Sequence, residues 1–195
     1  DIAEAVHNAT LIAISVDEPD VVQSIEQEEI ADHTVAVFSG IAALAKQHGV
    51  EKVASTATQY LAVAGLRVDQ DEAGRAVEYA TAVRDWLEKA ADNAGVVITT
   101  HVGLSAGDVV VGVVGSDRVA FNVWGDPSRK AAALAAVAGT SQILVDPVVA
   151  AHIGDEWAVE PILGLVNLDG SQLEGWRVVG RKADLDTAVA STDTT

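Results

Sequence analysis

The stretch from residue 96 to residue 124 constrains the fold of this chain more than any other part of the sequence. It is rich in valine and glycine, with the run VVVGVV at residues 109–114. β-Branched residues favour strands, whereas glycine, serine and aspartate are typical of turns. We therefore predict strands joined by tight turns at Ser105–Gly107 and Gly115–Asp117. A fold that holds this segment must contain a sheet.

Helical and extended patterns alternate in the rest of the chain. The run TLIAISV at residues 10–16 is apolar and β-branched, which indicates a buried strand. Apolar residues at helical spacing and helix-ending glycines indicate the helices. The elements predicted beside the Val/Gly-rich stretch are helices from Pro19 to about Gln47, from Asp71 to Asn93, from Asp126-Pro127 to Gly139 and from Asp146-Pro147 to Gly154, and strands within residues 50–66, 141–146 and 157–179.

The order of these elements predicts an α/β fold. Two strand–helix halves around one mixed sheet are typical of a ferredoxin-like α+β sandwich with flanking helices. We expect one domain over residues 1–180 and a polar C-terminal tail over residues 181–195, because the last residues show no apolar pattern.

Composition excludes several classes of function. The chain has 195 residues and no cysteine, so disulfides and cysteine metal sites are ruled out. Its formal net charge of −17 argues against nucleic acid and anionic membrane surfaces as partners. No apolar run is long enough to cross a bilayer. Since the chain begins at Asp1, we expect a cytoplasmic fragment of a longer protein, attached to a membrane only through segments outside this chain.

Four strings, taken in order, resemble the catalytic domain of class III adenylyl and guanylyl cyclases. They are QYLAVAGL (59–66), VGLSAGDVVVGVVGSDRVAFNVWGD (102–126), ILVD (143–146) and EGWRVVG (174–180). The resemblance extends over roughly residues 8–180. It implies the class III cyclase fold and a dimer that forms through residues 102–126.

The resemblance also implies where a cyclase would hold its metals, and this chain departs from the pattern there. In that family two strand carboxylates bind two divalent ions, which is the two-metal arrangement of phosphoryl transfer. Their positions fall on Ser15 and Thr58, whose hydroxyls are poor ligands for a hard dication. The phosphate-binding turn falls on residues 16–20, where three carboxylates repel phosphate and Pro19 has no N–H to donate.

The residues that a dimer partner supplies in that family are replaced as well. These replaced positions are Ala54 and Asn122 for base recognition, Arg129 for the ribose, Ala133 for the transition-state cation, and the neighbourhood of Ser171 for a late phosphate-binding lysine. Losing one such cation typically costs several kcal/mol of transition-state stabilisation. This chain lacks both the metal-binding carboxylates and the residues that a dimer partner supplies. Pairing with a second chain therefore does not complete a site. We predict a degenerate, catalytically inactive domain without a cofactor.

Two features keep other interpretations open. Asp17 shares a strand face with Ser15 and becomes a metal ligand after a small register shift, although we favour a solvated turn acid because no second carboxylate faces it. Arg129 and Lys130 lie near a helix start and are candidates for an anion site. The alternative interpretation is that they belong to an ordinary exposed helix face.

The predicted function is a dimerisation or regulatory module in intracellular signalling. The strands Val109–Val114 and Val119–Val123 would form the surface of a homodimer or heterodimer. The alternatives are a divergent cyclase with residual metal-dependent activity that uses Asp17, and a nucleotide- or anion-binding domain without turnover. The acidic surface is either a solubility feature or a means of selecting a basic partner.

Overall fold

A computed structural model describes residues 3–17, 27–66, 72–114 and 120–192. Its strands are β1 (Ala3–Asp17), β2 (Glu51–Ser55), β3 (Gln59–Ala64), β4 (Thr99–Val114), β5 (Ala120–Trp124), β6 (Gln142–Val145), β7 (Trp157–Ile162) and β8 (Gly175–Arg181). Its helices are α1 (Gln27–Gln47), α2 (Glu72–Ala94), α3 (Asp126–Val137), α4 (Pro147–Ile153) and α5 (Lys182–Thr192). The predicted order of elements is confirmed as far as β8.

Within the described ranges the eight strands form one mixed sheet. The order is β2-β3-β1-β4-β6-β8-β7, and β5 pairs with the far end of β4. β1 and β4 lie at the centre and run antiparallel, whereas β6 runs parallel to β4. The predicted mixed α/β sheet with flanking helices is therefore confirmed.

Helices cover the two faces of this sheet unequally. The main core lies between one face and the helices α1, α2 and α4, and it contains Ile12, Ile14 and Tyr79. On the other face α3 packs against alternate residues of β1, such as Leu11 and Ala13. Because successive side chains of a strand point to opposite faces, β1 is buried on both sides along its centre.

Gly103 sets the distance between α3 and the sheet. A Cβ at this position of β4 would overlap the Ala131 carbonyl oxygen and the Ala135 backbone nitrogen. The missing side chain lets the helix backbone approach the strand closely, a common use of glycine within a strand. The position of every side chain on α3 follows from this contact.

Two predictions of local structure are wrong. Residues Ser105–Gly107 do not form a turn but continue β4, because they pair with Ala9, Thr10 and Leu11 of β1. The C-terminal segment is not a loose polar tail, because it continues β8 to Arg181 and then forms α5. Two hydrogen bonds from Lys182 anchor the start of this helix. The backbone N–H of Lys182 donates to the Glu156 carbonyl, and the side-chain ammonium of Lys182 donates to the Gly154 carbonyl.

Other predicted features lie wholly or partly outside the described residues. These are the helix start at Pro19, the turn at Gly115–Asp117, residue Val119 of the predicted dimer strand and the phosphate turn beyond Asp17. In the part of the chain that the structure describes, no helix combines the length and the apolar character needed to cross a membrane.

Candidate functional site

The C-terminal end of β1 brings the two predicted metal positions together. Ser15 lies between Gln59 of β3 and His101 of β4 in the strand register. The next backbone N–H, that of Val16, donates to the Thr58 carbonyl oxygen at 2.9 Å. Ser15 is half-buried and Thr58 is exposed. The backbones of Ser15 and Thr58 are thus close together at this end of β1, and the side chain of each carries a hydroxyl instead of a carboxylate.

His101 binds the carboxylate that was the best candidate for a metal ligand. Its Nε2 lies 3.4 Å from Asp17 Oδ2, and its Nδ1 lies 2.9 Å from the Ala138 carbonyl oxygen. A protonated imidazole ring can donate to both acceptors at once. The pairing of β1 with β4 is regular from residue 9 to residue 17, so no register shift turns Asp17 towards a new position.

The donors at this end of β1 do not match the needs of a pair of divalent ions. Magnesium and calcium prefer several carboxylate and carbonyl oxygens, and one carboxylate with two hydroxyls falls short of that set. Over residues 3–17, 27–66, 72–114 and 120–192, no group of three or more His, Cys, Asp or Glu side chains is arranged to hold a metal. No chemical step through a metal is therefore derived for this site.

The predicted base-reading positions lie on adjoining strands. Ala54 is opposite Leu61 in the β2–β3 pair, and Asn122 is opposite Gly112 in the β4–β5 pair. The strands β2 and β5 contact each other, which brings these two positions into one region. Ala54 offers no polar group to a ligand, and Asn122 has no charge.

The predicted ribose and transition-state positions lie one turn apart on α3. Ala133 is half-buried and offers only a methyl group. Arg129 donates to Asp126 Oδ1 at 2.8 Å, and this hydrogen bond is the main reason that the pKa of the Asp126 carboxyl lies below its ordinary value. The same contact raises the pKa of Arg129, with a further electrostatic contribution from Asp169. The Arg129 guanidinium therefore already contacts one carboxylate, in an exposed ion pair.

The predicted phosphate-binding position on the β7–β8 connection is occupied by a closed local network. Ser171 donates both its backbone N–H, at 2.8 Å, and its hydroxyl, at 2.5 Å, to Asp169 Oδ1. These hydrogen bonds lower the pKa of the Asp169 carboxyl. A carboxylate therefore lies where the resemblance implies a cation.

The apolar surface beside this region is continuous. Side chains from β2, β3, β4 and β5 pack partly buried against the core under α3, and we call this set the β5 face: Val53, Leu61, Val111, Phe121 and Val123. Of the two strands predicted to form a dimer surface, Val111 on β4 and Phe121 and Val123 on β5 belong to this face.

Asp146 is a functional-looking carboxylate whose role is structural. It is buried, and its Oδ2 accepts from the Ser105 hydroxyl at 2.6 Å while its Oδ1 accepts from the Val149 backbone N–H at 2.8 Å. The start of α4 at this residue is predicted from the sequence, but the hydrogen bond between Asp146 and Ser105 is not. A contact between residues 41 positions apart leaves no local signal in a sequence.

The fold and most of the sequence match one group of known proteins. Residues 3–178 match the family described as the adenylate and guanylate cyclase catalytic domain. Proteins named adenylate cyclase from Mycobacterium bovis and Mycobacterium tuberculosis are 30% identical over 152 residues, which is 77% of this chain. The chain spans about a third of the length of these curated relatives, 34% in each case.

Solved structures agree with this assignment of the fold. The guanylate cyclase domain of RhGC from Catenaria anguillulae, in complex with GTP, superposes with a TM-score of 0.83 at 21% identity, covering 92% of this chain and 100% of that one. The adenylyl cyclase CyaB from P. aeruginosa superposes with a TM-score of 0.82 at 16% identity, covering 94% and 99%. The chain belongs to the adenylate and guanylate cyclase catalytic domain family.

Proposed function

We propose that this domain is a catalytically inactive member of the family that acts in signalling by associating with a second cyclase-like chain. The observation that carries the proposal is the pair of hydroxyls, Ser15 and Thr58, at the end of β1, where the family resemblance implies two metal-binding carboxylates. Hydroxyls at these two positions are poor ligands for the divalent ions that would activate a nucleotide.

The surroundings of the site support the same proposal. Asp17 is paired with His101, and Arg129 is paired with Asp126. Of these two side chains, Arg129 already has a partner of opposite charge, and the Asp17 carboxylate lies 3.4 Å from the His101 ring. Recruiting either one for a metal or a phosphate requires breaking an existing contact.

The β5 face supports a role in association. A half-buried aromatic residue among valines and leucines is typical of the centre of a protein interface. A guanylyl cyclase domain of the RhoGC fusion protein from Blastocladiella emersonii, described as a non-canonical dimer, shares the fold with a TM-score of 0.80 at 20% identity, covering 92% of this chain and 98% of that one. We propose that the domain forms a homodimer or heterodimer in which Phe121 is buried. We also propose that it is located in the cytoplasm.

Truncating Phe121 tests this association. In Phe121→Ser we expect the dimer dissociation constant, measured by sedimentation equilibrium, to rise roughly tenfold or more, a loss of about 1.4 kcal/mol. Val35→Ser is the matched control, because Val35 is 65% exposed on α1, away from the β5 face. A wild-type chain that stays monomeric alone and with cyclase domains of its relatives would refute the proposed role.

A second candidate function is supported by the curated relatives. Proteins 30% identical to this chain are named adenylate cyclases, and Asp17 is a carboxylate on the same strand as Ser15. The candidate is a divergent, metal-dependent adenylate cyclase of low activity that releases Asp17 from His101. Metal-dependent formation of cyclic AMP that disappears in Asp17→Asn would favour it over the inactive module.

A further inference from the structure

A cavity beside α3 lies apart from the proposed dimer surface. It has a volume of about 580 Å³ and lies between α3, the start of α4 and the connection between β7 and β8. The residues that line it include none of the five that define the β5 face. Cavities of roughly 300–1,000 Å³ are typical of sites for small molecules. We call this feature the α3 cavity.

The floor of the α3 cavity is apolar. Leu134 of α3 is buried, and Ile162, Leu165 and Leu173 pack partly buried against the small core cluster that contains it. All four side chains line the cavity, and Trp176 of β8 adds a half-buried aromatic ring. An apolar molecule in the cavity would remove the exposed parts of these side chains from water. This burial is the main source of free energy for binding an apolar ligand.

The buried carboxylate that lines the cavity already has its hydrogen bonds. Asp146 is only 4% exposed, and its Oδ1 accepts from the Val149 N–H at 2.8 Å. Its Oδ2 accepts from the Ser105 hydroxyl at 2.6 Å and from the Ala106 N–H at 3.3 Å. A charged group of a ligand would therefore meet leucines and a saturated carboxylate at the floor. Because burying an unpaired charge is costly, the buried part of a ligand must be uncharged.

The charges at the rim of the cavity are of both signs. Lys130, Gln172 and Glu174 line the cavity and are exposed. Since Lys130 and Glu174 carry opposite charges, the rim gives no strong preference for an anion or for a cation. The Gln172 amide can donate to or accept from an uncharged polar group. The lining as a whole selects a neutral molecule with an apolar body.

We infer that the α3 cavity is a binding site for a neutral, largely apolar small molecule with an aromatic or alicyclic body. The apolar body would cover the leucines of the floor and the Trp176 ring, and an uncharged polar group would face Gln172. The inference is independent of the proposed dimer, because the cavity shares no residue with the β5 face.

Matched fluorescent probes test the inference. Phenylnaphthylamine is neutral, and anilinonaphthalene sulfonate has the same ring system with a sulfonate group added. A third probe carries a trimethylammonium group instead of the sulfonate. The emission of these dyes rises in an apolar site, so a fluorescence titration gives the dissociation constant of each. We expect one neutral probe per chain and binding of both charged probes that is at least roughly tenfold weaker.

Variants at the edge of the cavity locate the binding. Val148 and Leu163 line the cavity and are 42% and 92% exposed, so their replacement leaves the core intact. In Val148→Asp and in Leu163→Asp the neutral probe should bind roughly tenfold more weakly, because a carboxylate replaces an apolar contact. Val35→Asp makes the same change in charge at a 65% exposed valine on α1, outside the cavity, and should bind as the wild type does. Circular dichroism checks that each variant is folded.

The outcomes separate this inference from the proposed dimer. Phe121→Ser changes the β5 face and should bind the neutral probe as the wild type does. Weaker binding in that variant would place the probe at the β5 face and overturn the inference. The absence of saturable binding to the wild type would overturn it as well. So would equal binding by the two cavity variants and Val35→Asp, or a charged probe that binds as tightly as the neutral one.

Discussion

At the scale of single residues, the chemistry of the site depends on two hydroxyls and on one carboxylate that is already paired. Ser15 and Thr58 lie side by side because β1 and β3 are neighbours in the sheet. A serine or threonine hydroxyl is uncharged. Its interaction with a divalent ion is therefore too weak to offset the free-energy cost of removing water from that ion. Asp17 has that charge but contacts His101. Our proposal of an inactive domain rests on these three side chains.

Restoring the carboxylates tests this explanation. In Ser15→Asp/Thr58→Asp we expect Mn²⁺ binding to appear in calorimetry, because the two positions are neighbours at the end of β1 and each would then carry a carboxylate. The matched control, Ser15→Asn/Thr58→Asn, has a similar shape without the charge and should bind no better than the wild type. Strong Mn²⁺ binding by the wild-type domain would show instead that Asp17 and its neighbours already form a metal site.

The ion pair at the start of α3 gives a pH prediction. The Arg129 hydrogen bond lowers the pKa of the Asp126 carboxyl in the folded chain, so its stabilising effect is present above the unfolded pKa of about 3.9 and is lost as the pH falls through the folded pKa. In Arg129→Gln the pKa of Asp126, followed by NMR titration, should rise towards the ordinary value. No change in that pKa would contradict the pairing.

At the scale of elements, the close approach of α3 to β4 fixes the position of the predicted partner-supplied residues. Gly103 has no side chain to separate the two elements. Arg129 and Ala133 are on the helix that this contact positions. Any side chain at residue 103 must displace the helix or the strand.

A single methyl group at that contact should be costly. We expect Gly103→Ala to lower the free energy of unfolding by about 1–3 kcal/mol or more, because over-packing forces the backbones apart. Gly180→Ala is the matched control in β8, since a Cβ there would meet Leu185 at an ordinary distance of 3.7 Å. Urea denaturation of both variants makes the comparison, and equal stabilities would contradict the packing described.

The elements also show what the sequence could predict. A helix with strong apolar periodicity is well predicted: α2 ends at Ala94, one residue after the predicted Asn93, while the predicted start at Asp71 lies outside the described residues. The wrong turn at Ser105–Gly107 arises because glycine and serine favour turns locally, whereas here they allow close packing and a buried bond to Asp146. The pairing of His101 with Asp17 joins residues 84 positions apart. Only the assembled sheet creates that contact.

At the scale of the whole molecule, the fold is that of the family, and our proposal of inactivity concerns the charged groups that the resemblance implies for a cyclase site. The core, the sheet order and the β5 face are those of a complete domain. The differences are concentrated at the end of β1, on α3 and on the β7–β8 connection. We propose that a domain with this distribution of changes acts by binding a second chain through the β5 face.

We propose that this domain does not turn over nucleotides, and a cyclase assay can show whether it does. The purified domain is incubated with ATP and with GTP, each with and without Mn²⁺, and cyclic AMP and cyclic GMP are measured by mass spectrometry. We expect no product above the level of a protein-free control. Mn²⁺-dependent product that is lost in Asp17→Asn but kept in Val35→Ser would contradict it.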